Sequence, residues 1–262
     1  MRRSLGFGVL ASMLACAPFT ADAPADASAV LPDGAPAVPD GGATEDAGAD
    51  TSVPVPVGCG WATFEDDFER APAMLAVPWK GIGGSGSNTT KLAIDASERF
   101  EGKASLRADL MEGGMAGGVY LAHPLAPAGK SSCVAIGFAL KVTTFPLKDG
   151  VLAVTLQLDS DTMIGVSVEN GGALVVAEQR FDAAPEPRYR EMIKKPLPVG
   201  RWALIELRYD AAPSRKVTVS IDGTPVQEPA TYPHGMPKEV RAGVVYGKTS
   251  GAHYFIDSVR IR

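Results

Sequence analysis

The chain has 262 residues, 7% of them aromatic, and a formal net charge of -5, a length that suits one large domain or two small ones at roughly 100–200 residues each. Seven acids (Asp22, Asp26, Asp33, Asp40, Glu45, Asp46, Asp50) and no Lys or Arg fall between residues 17 and 58; set against Arg2 and Arg3 they account for the whole charge, so residues 59–262 are neutral. A neutral body has no basic stripe for phosphates, which excludes a nucleic-acid partner, and no second apolar run approaches the roughly 20 residues of a membrane-spanning helix.

Arg2 and Arg3 precede an apolar run over 5–15, the n-region and h-region of a secretory signal and too short for a stable span. The run ends in Met13-Leu14-Ala15-Cys16, which resembles the bacterial lipobox. That resemblance implies a signal peptide over 1–15 and a diacylglycerol anchor on Cys16; ordinary cleavage nearby, with Cys16 lost or left free, is the alternative. If Cys16 takes lipid, Cys59 and Cys133 remain, either as a disulfide or as two buried thiols.

Residues 16–58 are dominated by Ala, Pro, Asp and Gly, with Phe19 the single aromatic. Such a segment buries too little surface to offset the entropy of ordering it, so it is expected to be a disordered linker. Prolines at 18, 24, 32, 36, 39, 54 and 56 stiffen it toward extended conformations. An acidic tether between a lipobox and a folded head resembles the surface lipoproteins of Gram-negative bacteria. An exported chain, lipid-anchored to the cell envelope at the outer membrane or cell surface, is what this implies.

From residue 59 the texture changes to short apolar alternations separated by Gly, Pro, Asp and Asn, with no run of helical period. Strands are expected over 104–110, 133–142, 151–159, 163–169, 173–179, 202–209, 216–221, 241–247 and 253–261. Asp159-Ser160-Asp161, Asn170-Gly171-Gly172 and Asp222-Gly223 supply the turns. Period 2 assigns faces: Ile205, Leu207 and Tyr209 oppose Trp202, Leu204, Glu206 and Arg208, and Val217, Val219 and Ile221 oppose Lys216, Thr218 and Ser220. Leu152, Val154, Leu156 and Leu158 are expected on the core side, with Thr155, Gln157 and Asp159 opposite. One dry and one wetter side per strand is the pattern of a two-sheet antiparallel sandwich, all-β.

Three segments carry a family resemblance: Phe64-Glu65-Asp66-Asp67-Phe68-Glu69; Gly200-Arg201-Trp202 running on to Val217-Thr218-Val219-Ser220-Ile221-Asp222-Gly223; and Tyr254-Phe255-Ile256-Asp257-Ser258-Val259-Arg260-Ile261. Residues 59–262 resemble the laminin-G-like members of the concanavalin A-like lectin/glucanase jelly rolls. The resemblance implies a jelly-roll sandwich whose first and last strands lie side by side, and a family that includes glycan-binding and adhesion modules, hydrolases and lyases. Asp66, Asp67 and Glu69 would then approach Asp257. Asp257, in phase with Phe255, Val259 and Ile261, should point to the core, where a carboxylate needs hydrogen bonds or a cation. A structural Ca²⁺ held by Asp66, Asp67, Glu69 and Asp257 is one answer; backbone donors or a nearby Arg are the other.

Glu65, Asp67 and Glu69 also fit the Glu-x-Asp-x-Glu spacing of jelly-roll glucanases, where period 2 sets alternate carboxylates on one face as nucleophile, helper and acid. Against that, Asp66 is polar where those enzymes carry an apolar residue. Gly81-Ile82-Gly83-Gly84-Ser85-Gly86 matches a dinucleotide fingerprint without the flanking strand and helix, and reads as a Gly-Ser loop. His123, His234 and His253 show no metal spacing. For stacking on sugars the candidates are Trp79, Tyr120, Tyr189, Tyr232, Tyr246 and Tyr254, with Trp79 reading equally as core. The 181–198 stretch, expected as a loop, holds the one local basic cluster, with Arg188, Tyr189, Arg190, Lys194 and Lys195. Trp79, Arg188, Tyr189 and Arg190 are therefore the ligand-binding candidates. The function expected is a non-catalytic envelope lipoprotein whose jelly roll binds polysaccharide or an envelope protein. A polysaccharide hydrolase or lyase, and a structural envelope element without a ligand, are the alternatives.

Overall fold

Short alternating segments punctuated by explicit turns leave room for little besides strands. Among the described residues the regular structure is indeed strand, with one 3₁₀ turn at Pro72–Met74. A computed structural model describes Cys59 and residues 64–84, 90–113, 117–125, 132–180, 188–211, 213–229, 235–247 and 251–262. The expected signal peptide (1–15), Cys16 and linker (16–58) lie outside them, as do Tyr232 and His234.

The strands are β1 (Phe64–Asp66), β2 (Gly81–Gly83), β3 (Thr90–Asp95), β4 (Ser105–Leu110), β5 (Gly117–Pro124), β6 (Cys133–Thr144), β7 (Val151–Gln157), β8 (Thr162–Glu169), β9 (Ala173–Arg180), β10 (Arg188–Pro196), β11 (Trp202–Asp210), β12 (Lys216–Ile221), β13 (Thr224–Pro229), β14 (Glu239–Gly247) and β15 (Ala252–Ile261). They form two antiparallel sheets. One has eight strands in the order β13-β12-β11-β6-β15-β4-β3, with β1 added beside β15; the other has seven in the order β10-β9-β8-β7-β14-β5-β2. This is the jelly-roll sandwich that the residue pattern and the resemblance imply. β1 and β15 do pair, Phe64 opposite Ile261 and Asp66 opposite Val259.

The core lies between the sheets. Ile136, Phe138, Ile205 and Leu207 from the eight-stranded sheet and Leu156, Ile164 and Leu174 from the seven-stranded one are fully buried, each contributing roughly 1.5–3 kcal/mol. Tyr254 of β15 crosses the core and donates its hydroxyl to the Gly243 carbonyl of β14 at 2.7 Å, so the one polar atom of that side chain is satisfied. Burial pushes its phenol pKa far up. Cys59 and Cys133 form a disulfide that closes a 74-residue span, worth about 4 kcal/mol by restriction of the unfolded chain. At Asp222 (φ 49°) and Gly223 (φ 79°) two successive left-handed residues join β12 to β13, the two-residue turn whose twist matches a hairpin.

The strict alternation holds in β11 and fails in two strands that matter for function. In β15 the register against β6 shifts between Asp257 and Arg260, and Ser258 takes φ 49°. Tyr254 and Ile256 before this bulge, and Val259 and Ile261 after it, all join the core. Asp257 is therefore on the outer face of the eight-stranded sheet, contrary to its expected phase. In β7 the register against β8 shifts between Leu152 and Val154; Val151, Ala153, Val154 and Leu156 join the core, while Leu152 turns outward. A single extra residue reverses every side chain beyond it.

Candidate functional site

The outward turn of Leu152 is matched next door. β14 bulges between Ala242 and Tyr246 against β7 and between Val244 and Gly247 against β5. The two bulges bring Leu152, Met163 and Val245 together on the outer face of the seven-stranded sheet, with Tyr120 packed against them. Tyr246 is left standing beside this island, 38% exposed. Thr155 and Gln157 share that face, opposite the core residues Val154 and Leu156.

Two cavities meet at Tyr246. The narrow one, about 280 Å³, is lined by Tyr120, Gln157, Met163, Arg241 and Val245 among others. The wide one, about 880 Å³, is lined by Leu152, Ser167, Glu169, Gln179, Tyr189 and Glu191, with Lys148 and Asp149 at one end. Together they make a groove across the sheet whose lobes span the size range of small-ligand sites.

The chemistry of the two lobes differs. In the narrow lobe the Tyr120 ring lies against Gly83, where an added methyl would sit 2.6 Å from it, and the Arg241 guanidinium lies 4.8 Å from its centroid. Arg241 in turn donates Nε to Glu239 at 2.6 Å. Gln157 is 7% exposed; its Nε2 donates to the Asp159 carbonyl at 2.5 Å and to that of Thr162 at 3.3 Å. Those bonds fix the amide orientation and leave Oε1 without a partner; the buried Oγ1 of Thr155 has none either. An unanswered buried polar atom costs about 1–3 kcal/mol. In the wide lobe Tyr189 is half exposed. Its hydroxyl pKa is pushed up to about 12, by burial first and then by the carboxylates of Glu169 and Glu191. Glu169 accepts the Ser167 hydroxyl at 2.7 Å.

The carboxylates singled out in the sequence lie elsewhere and are engaged. Asp66 is buried and accepts from the Phe68 backbone N–H at 2.9 Å, from Trp79 Nε1 at 2.5 Å and from Arg70 Nη1. Trp79, expected as a sugar platform, is 4% exposed and wedged edge-on to Phe64 with ring centroids 5.0 Å apart; it is part of the packing. Glu65 meets Arg262 Nη2 at 2.9 Å. Asp67 accepts the Glu69 N–H at 3.1 Å. β1 ends at Asp66, and Phe68 takes φ 57°, which turns Glu69 away to accept the N–H groups of Lys103 and Ala104. Glu65, Asp67 and Glu69 therefore do not share one strand face, and they stand on the eight-stranded sheet, away from the groove. The catalytic arrangement is corrected on that ground.

The calcium set is corrected too. Asp257 accepts three backbone donors, Phe100 N at 2.8 Å, Glu101 N at 3.2 Å and Ser258 N at 2.7 Å. Among the described residues no group of three or more His, Cys, Asp or Glu is placed to share a metal ion. Burial pushes the Asp257 carboxyl up to about 6, with Glu101 adding to the shift and the three N–H donors opposing it.

The basic cluster of 181–198 is a strand from Arg188 onward, at the edge of the seven-stranded sheet. Arg188 opens it opposite Arg180. Alternation sends its neighbours to opposite faces: Tyr189 stands opposite Gln179 and lines the groove, whereas Arg190 stands opposite Glu178 on the inner side. Of the remaining aromatic candidates, Tyr246 reaches the groove and Tyr254 is core. His123 caps one end of the core against Phe64, ring centroids 4.0 Å apart. Burial, then Lys80, holds its pKa below the ordinary imidazole value. His253 stacks on Phe255. The sequence reading missed Gln157, Arg241, Glu169 and Glu191 as site residues. Alternation alone placed Thr155 and Gln157 opposite the core, which was the available signal; the bulges that build the groove around them had none.

Comparison with solved structures finds the same fold in the cellulose-induced protein Cip1, at TM-score 0.55 and 12% identity over 76% of this chain and 96% of that one. Weaker likenesses are alginate lyase vAL-1 from a Chlorella virus, TM-score 0.48, 14% identity, 70% and 92% covered, and the receptor-binding domain of botulinum neurotoxin type G, TM-score 0.41, 10% identity, 69% and 42% covered. No protein-family model matches the chain, and no curated protein does. At such identities the likeness speaks for the fold.

Proposed function

We infer that this protein is a non-catalytic envelope lipoprotein whose sandwich binds a glycan along the outer face of the seven-stranded sheet. The observation that carries the reading is the groove itself: two lobes joined at Tyr246, walled by the exposed ring of Tyr189 and floored by a buried amide with an unanswered acceptor. Aromatic faces and directional acceptors side by side are what a sugar ring, apolar on its faces and hydroxylated on its rim, needs. A protein of the same fold is described as cellulose-induced, in keeping with a carbohydrate-related role here. Export and lipidation rest on Arg2, Arg3, the 5–15 run and Cys16. The self-satisfied carboxylates of the β1 region favour binding over turnover.

The test is a polysaccharide panel run against the full chain, read for both retention and the appearance of reducing or unsaturated ends. Retention without new ends is expected, and Tyr246→Ala should weaken it about tenfold, equivalent to about 1.4 kcal/mol. New ends would make the protein an enzyme; no retention on any glycan would remove the reading. Mass spectrometry of the mature N-terminus tests the anchor, with a diacylglyceryl Cys16 as the expected result.

A further inference from the structure

The groove does not stop at the narrow lobe. A third cavity of about 340 Å³, lined by Gly81, Gly83, Ala122, Glu239 and, in common with the narrow lobe, Tyr120 and Arg241, carries it on to β2. The three cavities follow the strand order of the sheet: the wide one runs from β10 to β14, the narrow one from β8 to β5, and the third from β14 to β2. Neighbouring cavities share Tyr246 in one case and Tyr120 with Arg241 in the other, so single side chains divide them. Among the described residues no strand lies beyond β10 or β2, and the line of cavities reaches both edges of the sheet. Charge does not choose among polymers here, since Lys148 and Arg241 line the groove beside Glu169, Glu191 and Glu239.

The two ends offer contact in different ways. On β10 the Tyr189 ring is 52% exposed, and midway along the line the Tyr246 ring is 38% exposed. On β2 the outward positions are Gly81 and Gly83, which pair with Ala122 and Tyr120, while Ile82 pairs with the core residue Leu121. A Cβ added at Gly81 would meet nothing within 4 Å. The floor at this end is therefore bare backbone and the Ala122 methyl, over which a chain can pass. Strands lie about 4.8 Å apart, so the six steps from β10 to β2 span about 29 Å. A pyranose with its bridging oxygen is about 5 Å long, four zigzag bonds of about 1.5 Å each. A ligand of one or two rings fills one lobe; an extended chain meets Tyr189, Tyr246 and the Gly81 floor together.

We propose that the groove holds an internal run of about six rings of an extended polysaccharide laid across the strands, with both chain ends outside it, and that length is what it selects. This deepens the glycan-binding reading and rests on it.

The experiment takes whichever of five soluble polymers, β-glucan, xylan, mannan, polygalacturonate or alginate, the full chain binds best, and measures affinity for its fragments of two, four, six and eight rings. Affinity should rise at least about tenfold from two rings to six, because contacts accumulate while the cost of association is met once, and eight rings should bind within about twofold of six. Opening the reducing-end ring of the eight-ring fragment with borohydride should change its affinity by less than about twofold. Two variants probe the ends. Tyr189→Ala removes the contact on β10, and Gly81→Phe fills the open space on β2; each should weaken the eight-ring fragment about tenfold. A four-ring fragment, about 20 Å long, cannot reach both ends, so at least one of the two variants should leave it within about twofold. Short fragments binding as tightly as long ones, loss of affinity on borohydride treatment, or an eight-ring affinity unmoved by either variant overturns the inference and leaves glycan binding standing. Binding to none of the five polymers overturns the glycan reading itself, and the inference with it.

Discussion

The corner where β1 meets β15 and the outer face of the seven-stranded sheet are both rich in polar side chains; at the corner the carboxylates are answered inside the protein, although His123 Nδ1 and Arg262 Nε there are buried without a partner. At the corner Asp66 holds Trp79, Arg70 and a backbone N–H, and Asp257 takes three backbone donors. On the groove face Gln157 Oε1 and Thr155 Oγ1 are buried with no partner. A group whose bonding capacity is spent inside the protein stabilises the fold and has nothing left for a ligand; one left unanswered and buried costs stability. The acidic run that looks most like catalytic chemistry in the sequence is thus a fastening, and the groove lies on the other sheet, where Gln157, Tyr189 and Tyr246 line it.

The sharpest way to break this contrast is at Asp66. Asp66→Ala should cost about 3 kcal/mol in a denaturant titration, because it removes the partner of the part-buried Arg70 Nη1 and leaves the buried Trp79 N–H unanswered. The folded fraction should still bind glycan. A loss below about 1 kcal/mol, the range of exposed ion pairs, would contradict the fastening role. Reduction of Cys59–Cys133 comes beside it, at about 4 kcal/mol, again without changing the affinity of the folded protein.

Asp257 gives a pH signature. Its folded-state pKa of about 6 lies above the ordinary 3.8, so between those values the folded state binds more protons than the unfolded one. Stability from this group is therefore present below about pH 4 and falls as pH rises through about 6, by roughly 3 kcal/mol. His123 runs the other way: its lowered pKa favours the fold above the ordinary imidazole value of 6.5 and weakens it as pH falls below. Comparing unfolding midpoints of Asp257→Asn and the unmodified chain across this range isolates the first contribution. The difference between them should shift with pH; parallel profiles would remove the buried carboxylate from the explanation. The smallest effect has the opposite sign from the corner. Thr155→Val should raise stability by about 1 kcal/mol, because it deletes an unanswered buried hydroxyl at nearly constant shape, and should leave glycan retention unchanged, since Thr155 is fully buried and lines neither lobe.

The architecture was legible wherever one face is dry. β4, β6, β7, β8, β9, β11, β12, β14 and β15 announce themselves through apolar alternation, and Asp222-Gly223 names its own hairpin. β2, β3, β5, β10 and β13 were not among the strands expected. In β10, with one neighbour, charged residues alternate with nothing that identifies a buried face; in β2 two of three residues are glycines, of which Gly83 leaves room for the Tyr120 ring. The site was less legible because it depends on register. Period 2 put Asp257 in the core and Leu152 with Val154, and in each case one bulged residue reversed the outcome. Trp79 reads as a platform or as core until Asp66, 13 positions earlier, is seen to hold its N–H.

The most direct test follows amide hydrogen exchange of the full chain with and without a saturating glycan from the panel. If the outer face of the seven-stranded sheet is the binding surface, protection should rise in β7, β14 and β10, around Gln157, Tyr246 and Tyr189, and stay unchanged at 64–70 and 257–261. Protection confined to the β1–β15 corner, with the groove strands unaffected, would contradict the assignment.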